Sequence, residues 1–283
     1  MKFVAKELKE TGDVSRAQIS SKEILKYTLA LTVLFVGVYV CLGWVADAVA
    51  GRISPETEKK LAFLGAAFQK QSSAHRAEQA TAQAIVDNLI AHGELPRLDY
   101  TVTVMDDPQP NALALPGGAI VVTTGLFDII KTEEALAMVL GHELGPFKHR
   151  DHLRGLGRGI LLATVLAVVF GSTQIQGVVS RLVNVAETRH SRKQEAAADE
   201  TGLDLLVKTY GHAGGATTFF EQIRELHGDQ ILFKYLSTHP APIQRIEALK
   251  AIIRERGLRV EEPTPLDLSR DRALDPSAPD ERG

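Results

Sequence analysis

VLGHELGPFKHRDH, residues 139–152, sets His142 and Glu143 side by side and places Pro146 where a second histidine would complete the pattern HExxH. Helical residues i and i+4 lie about 40° apart around the axis and about 6 Å along it. Two histidines at that spacing can chelate one metal ion, while the glutamate faces a water held there. Pro146 offers no donor atom. It also lacks the N–H that would bond the carbonyl of His142, and its ring presses on that carbonyl, costing about 3 kcal/mol in a regular helix. The stretch therefore predicts a site-bearing helix from which one ligand has been removed.

Working outward, Thr132 is a suitable N-cap with Glu133 and Glu134 behind it, so this helix should start there. YTVTV (Tyr100–Val104) alternates as a strand does. NALALPGGAIVVTTG (Asn111–Gly125) reads as two short strands around a Pro116-Gly117-Gly118 turn. Ser54-Pro55-Glu56 is a helix start, and polar, alanine-rich helical sequence follows to about His92-Gly93, with a break near Gln71–Ser73. Downstream, a helical stretch from about Val183 to Tyr210 places Glu195 and Asp199 one turn apart on a single face. A last helix is expected from Pro242 to near Arg256-Gly257, and the proline-rich, charged tail over 261–283 is expected to be disordered. No internal repeat is visible.

The bulk composition narrows the partners. The chain has 283 residues, 45% apolar and 24% charged, which is ample for a buried core. A net charge of −3 gives no basic footprint, so no nucleic acid is expected as a partner. The single Cys41 excludes an intrachain disulfide framework and a Cys-rich zinc cluster, and its apolar surroundings suggest a small buried hydrophobe.

Residues 27–46, YTLALTVLFVGVYVCLGWVA, carry no charge and match a hydrocarbon core of roughly 30 Å, with Tyr27 and Trp44 at the two ends. They predict a transmembrane anchor behind a cytoplasmic segment 1–26. The rival is a cleavable signal sequence, since AVA precedes Gly51, but the leading segment is long and mixed in charge. Lys9, Arg16, Lys22 and Lys26 before the span against Arg52, Lys59 and Lys60 after it favour a main domain outside the cytoplasm, that is periplasmic. A second charge-free segment, Gly159–Ser180, is strongly apolar only over Ile160–Phe170. It lies between His142 and Glu195, which must meet on one side of the membrane, so it should not cross once as a single span.

Taken with SRKQEAAADETG (191–202), STHPAPIQRI (237–246) and NALALPGG upstream, the opening motif resembles the HtpX and CAAX-prenyl-protease family of zinc endopeptidases, metallopeptidase family forty-eight, over roughly residues 54–256. The resemblance implies a mainly α fold with a small β-sheet (α+β): a gluzincin-type metallopeptidase domain, residues 51–260, behind an N-terminal transmembrane helix. Carried over by position, it implies His142 and Glu195 as zinc ligands, Glu143 as general base, Asp199 as the acceptor that orients His142, and His239 as a stabiliser of the oxyanion. Asn111, Gly117 and Gly118 would belong to the edge strand that receives substrate in extended form.

Pro146 departs from the family pattern. Zinc binding of roughly 10–16 kcal/mol shared among four ligands gives about 3 kcal/mol per ligand, a loss of about a hundredfold in affinity. His149, His190 and His239 are the candidates to stand in. Two functions follow. One is a membrane-anchored zinc endopeptidase acting on misfolded or membrane-associated proteins, with a weakened or rebuilt site that holds zinc weakly unless a ligand is replaced. The other is a pseudopeptidase that binds extended peptide without hydrolysis, as a chaperone or assembly factor.

Overall fold

The computed structural model describes residues 20–62, 75–159, 191–225, 239 and 242–268. Helix α1 spans Ser21–Ala50, opened by a capping box in which Ser20 and Glu23 satisfy each other's backbone N–H groups. It is the one helix among the described residues long and apolar enough to cross a membrane, with a mean hydropathy of 2.3 over its best window. Charged and polar turns lengthen it beyond the expected 27–46. Cys41 faces outward rather than into a protein core, because nearly all of α1 is exposed.

The C-terminal end of α1 is docked. Ala46 and Ala50 are buried, and Arg158 binds both oxygens of Asp47 at 2.8 and 2.9 Å. Arg150 Nη1 donates to the carbonyls of Ala50 and Ile53, the first at 3.3 Å. As numbers rise from Arg150 to Arg158 along the helical residues 151–159, their partners on α1 fall from Ala50 to Asp47, so the two run antiparallel. The apolar run Ile160–Phe170 continues from there and lies outside the described residues, as do the expected break at 71–73 and most of the tail.

Short α2 (Pro55–Lys59) has the expected Ser54 cap, and α3 (Arg76–His92) follows. The sheet comprises β1 (Thr101–Met105), β2 (Ala112–Leu115) and β3 (Ala119–Thr123), in the order β1-β3-β2. β1 runs parallel to β3 and β2 antiparallel, so β2 is an edge. Gly117 and Gly118 make the β2–β3 turn, both with φ of 93°. A Cβ on Gly117 would meet the backbone of Ala62 at 2.4 Å, so close packing as well as the turn requires glycine there.

After α4 (Thr124–Ile129) comes α5 (Glu133–His149), the helix of the opening motif, buried from Glu134 through Phe147 and unbroken at Pro146. Arg150 ends it in the left-handed conformation, with φ of 59°. Helix α6 runs Arg192–Tyr210, then α7 (Thr218–Glu225) and α8 (Pro242–Glu255). Of the helical stretch expected from about Val183 to Tyr210, residues 183–190 lie outside the described residues; Ser191 is extended and closes a capping box with Gln194, which fixes the first turn of α6 at Arg192.

The most extensive helix contact is α5 on α6. It is made by small residues. A Cβ on Gly141 would stand 3.0 Å from Gly202 Cα, and one on Gly145 would stand 2.8 Å from Ala198 Cα. The two backbones thus approach closely along the turn that carries His142.

Residues 261–268, expected from composition to be disordered, run back along the start of α5; 269–283 lie outside the described residues. Thr264 donates its N–H and hydroxyl to the buried Glu134 carboxylate at 2.7 and 2.9 Å, and its carbonyl accepts from Glu133 at 2.9 Å. Thr132 is the N-cap as expected, but its side chain makes no capping bond. The strand-like pairing of Thr132 with Pro265 serves that helix end instead.

Candidate metal and catalytic site

The close α5–α6 crossing sets His142 against the acidic face of α6. His142 Nδ1 lies 2.9 Å from Asp199 Oδ1, and both residues are buried. Arg245, from the first turn of α8, clamps the same carboxylate, with Nε 2.8 Å from Oδ2 and Nη2 2.6 Å from Oδ1. Arg245 Nη2 also comes within 3.0 Å of His142 Nδ1. Both nitrogens cannot use one proton, so the consistent assignment has Nδ1–H and Nη2–H both donating to Asp199, a carboxylate with room for each. That fixes the His142 tautomer and leaves the Nε2 lone pair facing inward, as a metal-binding imidazole requires.

Glu195 lies on the inward side. Its Oε2 is 3.8 Å from His142 Nε2 and 2.7 Å from Arg245 Nη1. His239 approaches from the far side, with Nδ1 3.1 and 3.2 Å from the two Glu195 oxygens and Nε2 3.8 Å from Glu143 Oε1. The His142 and His239 rings meet edge to face at 5.2 Å. One donor atom each from His142, Glu143 and His239 fall within 4.8 Å of one another, all three residues being buried. These are ligand types and spacings that suit zinc, so the donor set fits a metal in spite of Pro146.

The charges are arranged to keep the carboxylates ionised. Burial pushes Glu195 up, but the His239 hydrogen bond and the charges of His142, His239 and Arg245 outweigh it and hold the group at about 2. Asp199 is held at about 2 likewise, burial being overcome by Arg245 and His142. His142 stands above its ordinary value. Burial and Arg245 press it down, and the Asp199 bond with the Glu195 and Asp199 charges lifts it further.

Of the expected residues, the structure therefore brings together His142, Glu143, Glu195, Asp199 and His239. His149 faces elsewhere, its Nε2 3.1 Å from Thr201 Oγ1, and His190 lies outside the described residues. Asn111 opens the edge strand with its side-chain oxygen buried and unpartnered, while Gly117 and Gly118 lie beyond the other end of β2. Arg245 was given no role from sequence, although it stands within the STHPAPIQRI motif. A buried arginine four residues into a helix, stacked 4.3 Å over Phe220, has no local signature that separates it from a surface arginine.

Residues 76–253 match peptidase family M48, and the chain belongs to that family. It is similar to the mitochondrial metalloendopeptidase OMA1 of Arabidopsis thaliana, 34% identical over 60% of this chain and 35% of that protein. The human metalloendopeptidase OMA1 is 28% identical over 59% of this chain and 34% of its own length. A protease HtpX homolog of Thermodesulfovibrio yellowstonii is 28% identical over 60% of this chain and 74% of its own. The chain thus spans only about a third of the OMA1 relatives. What is shown is therefore membership of a peptidase family, together with one helix, α1, long and apolar enough to cross a membrane.

Proposed function

We propose that the protein is a membrane-anchored, zinc-dependent endopeptidase that cuts misfolded or membrane-associated polypeptides in extended form. The observation that carries this reading is the buried cluster of His142, Glu143 and His239, with Glu195 3.8 Å from His142 and 3.1 Å from His239 and the His142 tautomer set by Asp199. His142 and Glu195 would hold the metal. Zinc, when bound, supplies Lewis acidity and lowers the pKa of water to about 7. Glu143 would take the proton of the attacking water and return it to the departing amine. Edge strand β2, which packs on α5, would receive the substrate backbone by strand addition and lay the scissile bond beside Glu143. Asn111 sits at the start of that edge; Gly117 and Gly118 would allow close backbone approach at its end.

α1 would tether this domain, residues 51–260, to the membrane face, and the basic residues before the span would keep the N-terminus cytoplasmic and the domain periplasmic. The clamp of Arg158 on Asp47 favours an uncleaved anchor, since cleavage after Ala50 would release half of that contact.

A second reading is supported by Pro146 together with the 2.7 Å contact of Arg245 on Glu195, which neutralises a carboxylate the metal needs. The cleft would then bind extended peptide without cutting it. The test is full-length protein in detergent with a quenched fluorescent unstructured peptide. Cleavage that a chelator and Glu143→Gln both abolish is expected. Peptide binding with no cleavage at any zinc concentration would overturn the endopeptidase reading in favour of the second.

A further inference from the structure

We propose that His239 takes over the ligand lost at position 146, so that His142, Glu195 and His239 are the three protein ligands of the metal. The inference rests on the metal-dependent reading of the site and moves His239 from the oxyanion role that the family resemblance implied.

Three donors are the minimum for a catalytic zinc centre, and residue 146 supplies none. Around a tetrahedral zinc with bonds of about 2.0–2.1 Å, donor atoms lie roughly 3.3–3.4 Å apart. Two of the three donor pairs bracket that figure, 3.8 Å from His142 Nε2 to Glu195 Oε2 and 3.1 and 3.2 Å from His239 Nδ1 to the Glu195 oxygens, and the ring donors of His142 and His239 fall within 4.8 Å of each other in the cluster they share with Glu143. His239 is only 3% exposed and turns both ring nitrogens into the cluster, one toward Glu195 and the other toward Glu143. The other candidate on the motif helix, His149, is engaged by Thr201.

Arg245 does not stand in the way. Two of its nitrogens hold Asp199 at 2.8 and 2.6 Å, so Glu195 can leave Nη1 for the metal while the guanidinium stays in place.

The experiment measures metal binding and needs no turnover. Zinc affinity of the full-length protein in detergent is read by competition with a chromophoric chelator, for the natural chain and His239→Gln. His239→Gln should weaken zinc by about a hundredfold, the loss of one ligand. In addition, His239→Cys is loaded with cobalt(II). A thiolate at position 239 should give a sulfur-to-cobalt charge-transfer band in the near ultraviolet that the natural chain, with Cys41 far off on α1, does not show. Unchanged zinc affinity in His239→Gln, or no such band in folded His239→Cys, overturns the proposal. Failure of the natural chain to bind zinc overturns it too. Zinc held through position 239 without peptide cleavage would support this ligand set and remove only the endopeptidase reading.

Discussion

Gly145→Ala is the smallest change that should pull the site apart. The added Cβ would stand 2.8 Å from Ala198 Cα and 3.0 Å from Ala198 Cβ, against backbone that cannot turn aside. Ordinary carbon contact begins near 3.4 Å, so α5 and α6 would have to part by about 0.6 Å. The same separation carries the His142–Asp199 bond from 2.9 Å to about 3.5 Å, past useful hydrogen-bonding range. Overpacking of this kind costs about 1–3 kcal/mol. Loss of a charge-assisted hydrogen bond adds about 1.5–3 kcal/mol, and the better helix propensity of alanine returns about 1 kcal/mol. The net loss is about 1.5–5 kcal/mol. For a domain of this size that is a fall in Tm of roughly 3–20 °C. Thermal unfolding of the detergent-solubilised, chelator-treated protein measures it. Gly155→Ala is the control, because nothing lies within 4 Å of a Cβ there and the helix should gain stability by a few tenths to about 1 kcal/mol. Equal melting of Gly145→Ala and the natural chain would refute the close crossing as the device that sets His142 against Asp199.

Three more outcomes are expected. Pro146→His restores the i,i+4 pair and should raise zinc affinity by about two decades, read by chelator competition; no gain would mean that residue 146 does not face the metal. Glu58→Ala breaks the buried bridge in which His152 spans Glu58 Oε1 at 2.6 Å and the Pro146 carbonyl at 2.8 Å, and should lower unfolding free energy by about 3–5 kcal/mol in urea titration. Glu195 and Asp199 have folded values of about 2, below their ordinary 4.5 and 3.8, so the native state binds fewer protons than the unfolded chain. Their contributions, about 3 and about 2 kcal/mol, are complete above pH about 5 and vanish as pH falls toward about 2. Acid titration of metal-free protein should show this loss, and Glu195→Gln should flatten it.

Local patterns made much of this legible from sequence. The strand–turn–strand of Asn111–Gly125, the start of α5 at Thr132 and the start of α8 at Pro242 follow from alternation, turn chemistry and capping, and all stand in the structure. The site residues could be named because their motifs come in a recognisable order. What escaped notice depends on contacts across long stretches of chain. Arg245 meets Asp199 and Glu195 about 50 residues away, His152 meets Glu58, and Thr264 meets Glu134. None of these has a periodic signature. The start of α6 is different: Ser191 and Gln194 form a capping box readable in SRKQ, and helical propensity upstream obscured it.

The most direct test is the zinc content of the full-length protein, purified in detergent without added metal and measured by mass spectrometry. About one zinc per chain is expected, held by three protein ligands despite Pro146. No zinc as purified, and none retained after zinc addition and dialysis, would contradict it and leave a peptide-binding cleft without hydrolysis.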